Sequence, residues 1–289
     1  MVETLERAST GERAPDIYPD IPFPEYLRID AMNSSTLRKV AKSTLHARYE
    51  LTHPLEPTSA LVLGDATHAL VLEEERFHQD YALGLDRARR SKADREAWAT
   101  WESKHPTQTA LKPEEWNSVH EMRDSVMSHP TAQELLSGQG MNEVSLIWED
   151  PETNALCKAR PDRITTYGDW SVIADLKTTI DASPEGFGRS VARFHYHCQA
   201  AWYLDGANVL HPRERRFFFI AVEKKPPWGV AVHELDFRSL EAGRILNQRW
   251  LRKWVNCVKT SVWSGYPTGI VNQGLPVWAH REAEEEEEI

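Results

Sequence analysis

Two aspartates and a lysine stand where a buried strand ordinarily carries no charge. In CKARPDRITTYGDWSVIADLKTT, residues 157–179, Asp162 closes one apolar run, while Asp175 and Lys177 sit inside the next. An unpaired charge among Ile, Val, Ala and Leu is costly to bury. Side chains alternate across a strand, so Asp175 and Lys177 share a face with Ile173, and Ala174 and Leu176 take the other. If the two runs pair through the YGD turn, Asp162 lies beside Asp175. Carboxylates that close repel unless a cation sits between them. Hard oxygen ligands with open water positions suit Mg²⁺ or Mn²⁺. An ammonium two residues along the strand can hold a water or stabilise charge growing on a phosphate. The chemistry implied is metal-dependent cleavage of a phosphodiester. The plainer alternative is an Asp175–Lys177 ion pair on an exposed sheet face.

Such a site needs elements to position it. Residues 1–30 are rich in Pro and charge without a sustained period, and read as a flexible arm. Helical patterns follow at 34–51, opened by a serine cap, and at 59–77, apolar on most sides. A basic segment, 86–101, runs into a helix, and PEEWNSVHEMRDSVMSH (113–129) begins with a proline suited to a first helical position. The period then changes. VSLIWE (144–149), LCKARPDRIT (156–165) and WSVIADLKT (170–178) read as an antiparallel three-strand meander. A long helix over 183–208, two strands at 216–222 and 229–235 around a KKPPWG turn, and a closing helix over 239–265 complete the chain. This order implies an α/β fold, a mixed central sheet flanked by helices. Paired tryptophans at helical spacing, Trp98 with Trp101 and Trp250 with Trp254, read as core packing.

Composition narrows the classes. Of 289 residues, 40% are hydrophobic and 27% charged, as in ordinary globular proteins. No apolar run is long enough to span a bilayer, so a membrane partner is not expected. Three scattered cysteines point to reduced thiols and a cytoplasmic setting, not to a disulfide framework or a metal cluster. The formal net charge is −10, but the terminal EAEEEEE holds six of the acids, and the rest carries only −4 (34 Lys and Arg against 38 Asp and Glu). That balance argues against indiscriminate nucleic-acid binding while allowing a local basic groove. Arg87, Arg89, Arg90, Lys92 and Arg95 are the densest basic cluster and a candidate phosphate contact. Lys158 and Arg160 fall on the face of Asp162 by strand alternation and are candidates for the scissile strand.

The run Pro161-Asp162, twelve residues, then Asp175-Leu176-Lys177 resembles the PD-(D/E)XK nuclease signature. CKARPDRI, IADLKTT and YHCQAAWYLD together look like the RecE-type C-terminal nuclease (exodeoxyribonuclease VIII) and its phage and prophage relatives. The likeness runs over roughly residues 30–265 and includes a GxxxH helix (Gly64 to His68) and a QxxxY pair (Gln199 and Tyr203). The resemblance implies one nuclease domain over 31–265 with a restriction-endonuclease-like core, followed by an acidic tail, 266–289. It implies Asp162, Asp175, the Leu176 carbonyl and His68 as metal ligands, Lys177 at the attacking water, and Gln199 and Tyr203 shaping the site. Glu143 stands near the place of an additional acid in related exonucleases. The implied activity is Mg²⁺-dependent digestion of double-stranded DNA ends, 5′ to 3′, for recombination. A single-strand annealing protein as partner and a ring-like homo-oligomer are implied in the same way.

Three rivals remain at this level. The same fold serves endonucleases and helicase-associated nucleases, although no GxxxxGK[ST] phosphate loop marks a motor in this chain. A non-catalytic scaffold that binds DNA ends on an old nuclease fold is the third.

Overall fold

The computed structural model describes residues 13–53 and 56–275. The acidic run of the tail lies outside them. The elements are β1 (Asp16–Tyr18), α1 (Phe23–Arg28), α2 (Ser34–Lys42), α3 (Thr44–Thr52), α4 (Ser59–Leu72), α5 (Glu74–Asp80), β2 (Tyr81–Leu83), α6 (Lys92–Lys104), β3 (Thr109–Leu111), α7 (Pro113–Ser128) and α8 (Pro130–Ser137). There follow β4 (Gly140–Asn142), β5 (Ser145–Glu149), β6 (Leu156–Ala159), β7 (Arg163–Tyr167), β8 (Trp170–Thr179), α9 (Pro184–Phe194), α10 (Tyr196–Leu210), β9 (Arg215–Glu223), β10 (Val230–Glu234) and α11 (Phe237–Thr260).

The main sheet is mixed, in the order β10-β9-β8-β7-β4. β8 and β9 run parallel, and the other neighbours are antiparallel. Apolar residues of β8 alternate between two cores. Ile173 joins Phe217, Phe219 and Ala221 of β9 against α9, α10 and α11. Val172, Ala174 and Leu176 join Phe218, Ile220 and Val222 against α4, α7 and α8. This alternation matches the pleat argument made from sequence. The β7–β8 hairpin turns over Gly168 and Asp169, with Tyr167 opposite Trp170. Gly168 sits at φ 55°, in the left-handed region that glycine enters without a Cβ clash.

The meander itself needs correction. The expected 156–165 strand is two strands, and its first half, β6, joins the 144–149 strand in a separate antiparallel sheet, β1-β5-β6, while its second half, β7, lies in the main sheet. Arg160-Pro161-Asp162 separates them. Proline has no N–H for a ladder and restricts the residue before it, so the chain leaves one sheet there and enters the other.

Three expected helices are also divided. Residues 34–51 break at Ser43, whose extended backbone and side chain cap α3 through the His46 N–H. The 59–77 helix ends at Leu72 and restarts as α5 after Glu73. The 183–208 helix breaks at His195, in left-handed conformation at φ 55° and ψ 38°. The expected flexible arm is corrected over residues 13–30, and residues 1–12 lie outside the described residues. β1 pairs with β5, and α1 buries Tyr26 beside Ile21 and Ile147.

Trp98, Trp101 and Trp250 are buried as packing residues, and Trp254 packs against the core. Cys157, Cys198 and Cys257 are free and buried. No described helix is long and apolar enough to cross a membrane.

Candidate active site

The break at Pro161 is what builds the site. The register Arg163↔Ala174 brings Asp162 level with Asp175 at the end of the hairpin. Asp162 Oδ2 accepts the Leu176 N–H at 2.7 Å and faces His68 Nδ1 at 3.2 Å. His68 comes from α4, which packs against β8 from the other side. Lys177 Nζ contacts Asp175 Oδ2, and its ammonium lies 5.1 Å from the Tyr196 ring. Gln199 Nε2 donates to Asp175 Oδ1 at 2.9 Å and to Tyr203 Oη at 3.1 Å. Both residues lie on α10, one turn apart and so on one face. The αL residue His195 resets the helix axis between α9 and α10, and α10 then presents Gln199 toward β8.

Asp175 is fully buried, and its Oδ2 has no well-formed hydrogen bond apart from the Lys177 ion contact. Burial and the Asp162 charge push its carboxyl up to about 6, with Lys177 offsetting only part. For Asp162 burial also acts upward, but His68, Lys177 and the Leu176 N–H outweigh it and hold the carboxyl below its ordinary value. Burial opposes the charge on Lys177 and on His68. The facing carboxylates outweigh it and raise both above their ordinary values. The Tyr203 hydroxyl is pushed far up by burial and keeps its proton.

These groups fit a divalent cation. A buried carboxylate oxygen met only by the Lys177 ammonium, next to a second carboxylate, is what a cation would relieve. Among the described residues no three His, Cys, Asp or Glu side chains form a cage. An ion there would keep open positions for water or substrate oxygens, as Mg²⁺ does. His68 reaches the site through Asp162, and Leu176 through its main-chain N–H.

A cleft of about 720 Å³ opens beside this cluster, lined by His68, Glu143, Lys158, Arg160, Asp162, Gln199 and Tyr203 together with residues of α1 and α2, while Asp175 and Lys177 do not line it. Glu143 is held by Arg160 at 2.9 Å, and burial with the nearby Asp162 charge raises it to about 7. Lys158 and Arg160, expected as contacts for the scissile strand, are committed elsewhere. Lys158 Nζ donates to the Tyr26 carbonyl at 2.8 Å and the Ile29 carbonyl at 2.7 Å, and Arg160 Nη1 to the Ile21 carbonyl at 2.9 Å. Both pin α1 to the wall of the cleft. The alternation rule failed for them because β6 ends at Ala159, before Asp162.

Arg87, Arg89, Arg90 and Lys92 are not brought to this cleft. They lie around the start of α6, exposed; Arg89 pairs with Glu102 at 2.6 Å and stacks on Trp98. Lys92 faces Glu96 at 3.9 Å and Arg87 faces Asp94 at 4.0 Å, so acids answer three of these four residues. Sequence reasoning missed the α1 wall and the opening turn of α2. The expected serine cap is corrected as well: Asn33 caps α2 through the Thr36 N–H, and Ser34 is the first helical residue.

The model of a family described as PDDEXK-like domain of unknown function (DUF3799) matches residues 33–272. No curated protein matches the sequence. A solved structure described as a putative exonuclease from Eubacterium rectale is similar at a TM-score of 0.62 and 14% identity, covering 90% of this chain and 98% of that one. Protein VC1899 from Vibrio cholerae aligns at a TM-score of 0.23 and 11% identity, over 84% of this chain and 62% of that one, too low a score to carry an argument.

Proposed function

The chain belongs to the PDDEXK-like family DUF3799, and from that premise we infer that it is a nuclease that hydrolyses DNA phosphodiester bonds with a divalent cation, Mg²⁺ or Mn²⁺. The observation that carries this reading is the buried Asp162, Asp175 and Lys177 cluster, whose charges have no structural use that apolar residues would not serve better. The likeness over 98% of the chain described as a putative exonuclease supports attack from duplex ends over internal cleavage. The RecE-type resemblance supports 5′ to 3′ digestion in recombination, with an annealing protein and a ring-like homo-oligomer as its companions.

Each side chain has a role. Asp162 and Asp175 hold the cation, with His68 beside Asp162 and the Leu176 carbonyl as a further oxygen. When bound, the cation supplies Lewis acidity toward water and phosphate oxygens. The Leu176 N–H fixes one oxygen of Asp162. Gln199 fixes one oxygen of Asp175 and is itself backed by Tyr203, the kind of outer support that keeps ligands oriented. Lys177 keeps its proton between the carboxylates and places positive charge where the attacking water and phosphate meet.

The test is digestion of linear duplex, blocked at one 5′ or one 3′ end, against closed circular DNA, with and without Mg²⁺. Metal-dependent loss of the linear substrate, stopped by the 5′ block and abolished in a folded Asp175→Asn variant, is the expected result. Full activity of Asp175→Asn would remove the site assignment. Cleavage of the circle would replace the exonuclease reading with an endonuclease.

A further inference from the structure

We propose that the acidic run 282–288 of this chain seats on the exposed basic face of its own α11 and screens that face from other polyanions. The inference does not depend on the chemistry at Asp162 and Asp175.

Three observations converge on this face. First, α11 carries a charge imbalance that its neighbours do not answer. From Arg249 to Lys259 the chain holds four cations, Arg249, Arg252, Lys253 and Lys259, and no Asp or Glu. All four are exposed, and helical spacing gathers them on one side, within an arc of about 120°. Arg252 pairs with Glu152, while among the described residues no carboxylate forms a salt bridge with Arg249, Lys253 or Lys259. A cation in the last turn offsets the helix dipole, which accounts for Lys259. The other three lie further back, beyond the reach of that effect.

Second, the chain leaving α11 is turned back along it. Ser261 ends the helix in left-handed conformation, at φ 57° and ψ 19°. Trp263 then packs on Trp254, with ring centres 4.9 Å apart. The Ser264 carbonyl accepts the Leu45 N–H of α3 at 3.1 Å, which fixes the returning chain. Arg48 of α3 lies over the Trp263 ring at 4.8 Å and adds an exposed cation beside this path.

Third, the sequence beyond supplies the complementary charge. Glu282 and Glu284 to Glu288 put six carboxylates within seven residues, beginning nineteen residues after Trp263. At about 3.4 Å per extended residue the run reaches up to about 60 Å, against about 15 Å for the face from Arg249 to Lys259. A run tethered this close is present at an effective concentration of order millimolar. Exposed ion pairs are individually weak and screened by salt, so the contact is multivalent and salt-sensitive.

The other seats fit less well. The cleft has six carboxylates in its lining against four Arg and Lys side chains, and so disfavours an acidic segment. No residue of α11 lines the cleft, so the scissile strand has no need of this face. Near α6 the acids Asp94, Glu96 and Glu102 already answer Arg87, Lys92 and Arg89.

Carbodiimide joins an ammonium to a carboxylate that touches it. It is applied to the full chain at low salt and at 1 M salt, and the products are mapped by mass spectrometry. The expected product joins Lys253 or Lys259 to the run 282–288 at monomer mass, and falls at least tenfold at 1 M salt, where the screening length is about 3 Å. This arm needs no nucleic acid. In the second arm, Glu→Gln at 282 and 284–288 keeps the length of the run and removes its charge. Binding of a labelled duplex, read by anisotropy in EDTA, is expected to gain a salt slope worth about three phosphate contacts. Adding Arg249→Gln, Lys253→Gln and Lys259→Gln is expected to return the slope, and thermal unfolding checks that these exposed changes leave the fold intact. Cross-links from the run only to other lysines, only at dimer mass, or at neither salt would overturn the seat. A slope indifferent to the three α11 changes would overturn the screening.

Discussion

Lys158 gives the sharpest test of how the cleft is held together. It is 2% exposed, its Nζ donates to the Tyr26 and Ile29 carbonyls at 2.8 and 2.7 Å, and among the described residues no carboxylate forms a salt bridge with it. Burial lowers its pKa from 10.5 to about 8, offset only in part by Asp30. At 1.36 kcal/mol per pH unit, that fall corresponds to about 3 kcal/mol against folding while the ammonium is charged. The sign follows from proton counting. Between pH 8 and 10.5 the unfolded chain holds a proton that the folded chain has released, so stability from this residue rises with pH. The cost is present in full below pH 8 and fades above it. Wild type and Lys158→Met should therefore be unfolded in urea at a series of pH values. Their difference in unfolding free energy should move in favour of the wild type by roughly 2 kcal/mol from pH 7 to pH 9.5, other groups cancelling in the comparison. The variant should leave the salt slope of DNA binding unchanged, because Lys158 is spent on main-chain carbonyls. A flat difference across that range, or a slope that drops by one phosphate contact, would refute the argument.

Two further outcomes follow from packing and charge. Lys177→Met leaves two buried carboxylates facing each other, and chemical denaturation should show a loss of about 3–5 kcal/mol at neutral pH, recovered largely by adding Asp175→Leu. Gly243→Ala places a Cβ 2.3 Å from the His197 carbonyl oxygen where α11 crosses α10. The helices must separate, and a thermal melt should register a loss of about 1–3 kcal/mol.

The sequence carried the parts of the site that local rules govern. Apolar alternation around Asp175 and Lys177 shows a strand whatever it packs on, and the YGD turn sets the register that levels Asp162 with Asp175. The parts not legible depend on long-range contacts. Nothing near Ser43 or His195 breaks a helical pattern as proline or glycine would; those breaks are stabilised by a cap and by packing of α10 on α11, β5 and β6. Residues 13–30 look unstructured because their partners, Lys158, Arg160 and β5, lie more than a hundred residues away. Main-chain carbonyls of that segment occupy the two cations that strand alternation alone offered to DNA. Gln199 was placed by resemblance, and its bond to Asp175 required the turn of the chain at His195.

β8 is both the central strand of the main sheet and the carrier of Asp175 and Lys177. Slipping it by one residue against β9 would swing those charges into the greasy layer of Ala66, Leu70 and Val126, with no countercharge waiting there. The polar pair thus acts as a proofreader during assembly. Misaligned chains are penalised by the very groups that equip the aligned one, so a variant stripped of both should tolerate shifted pairings that the native chain rejects.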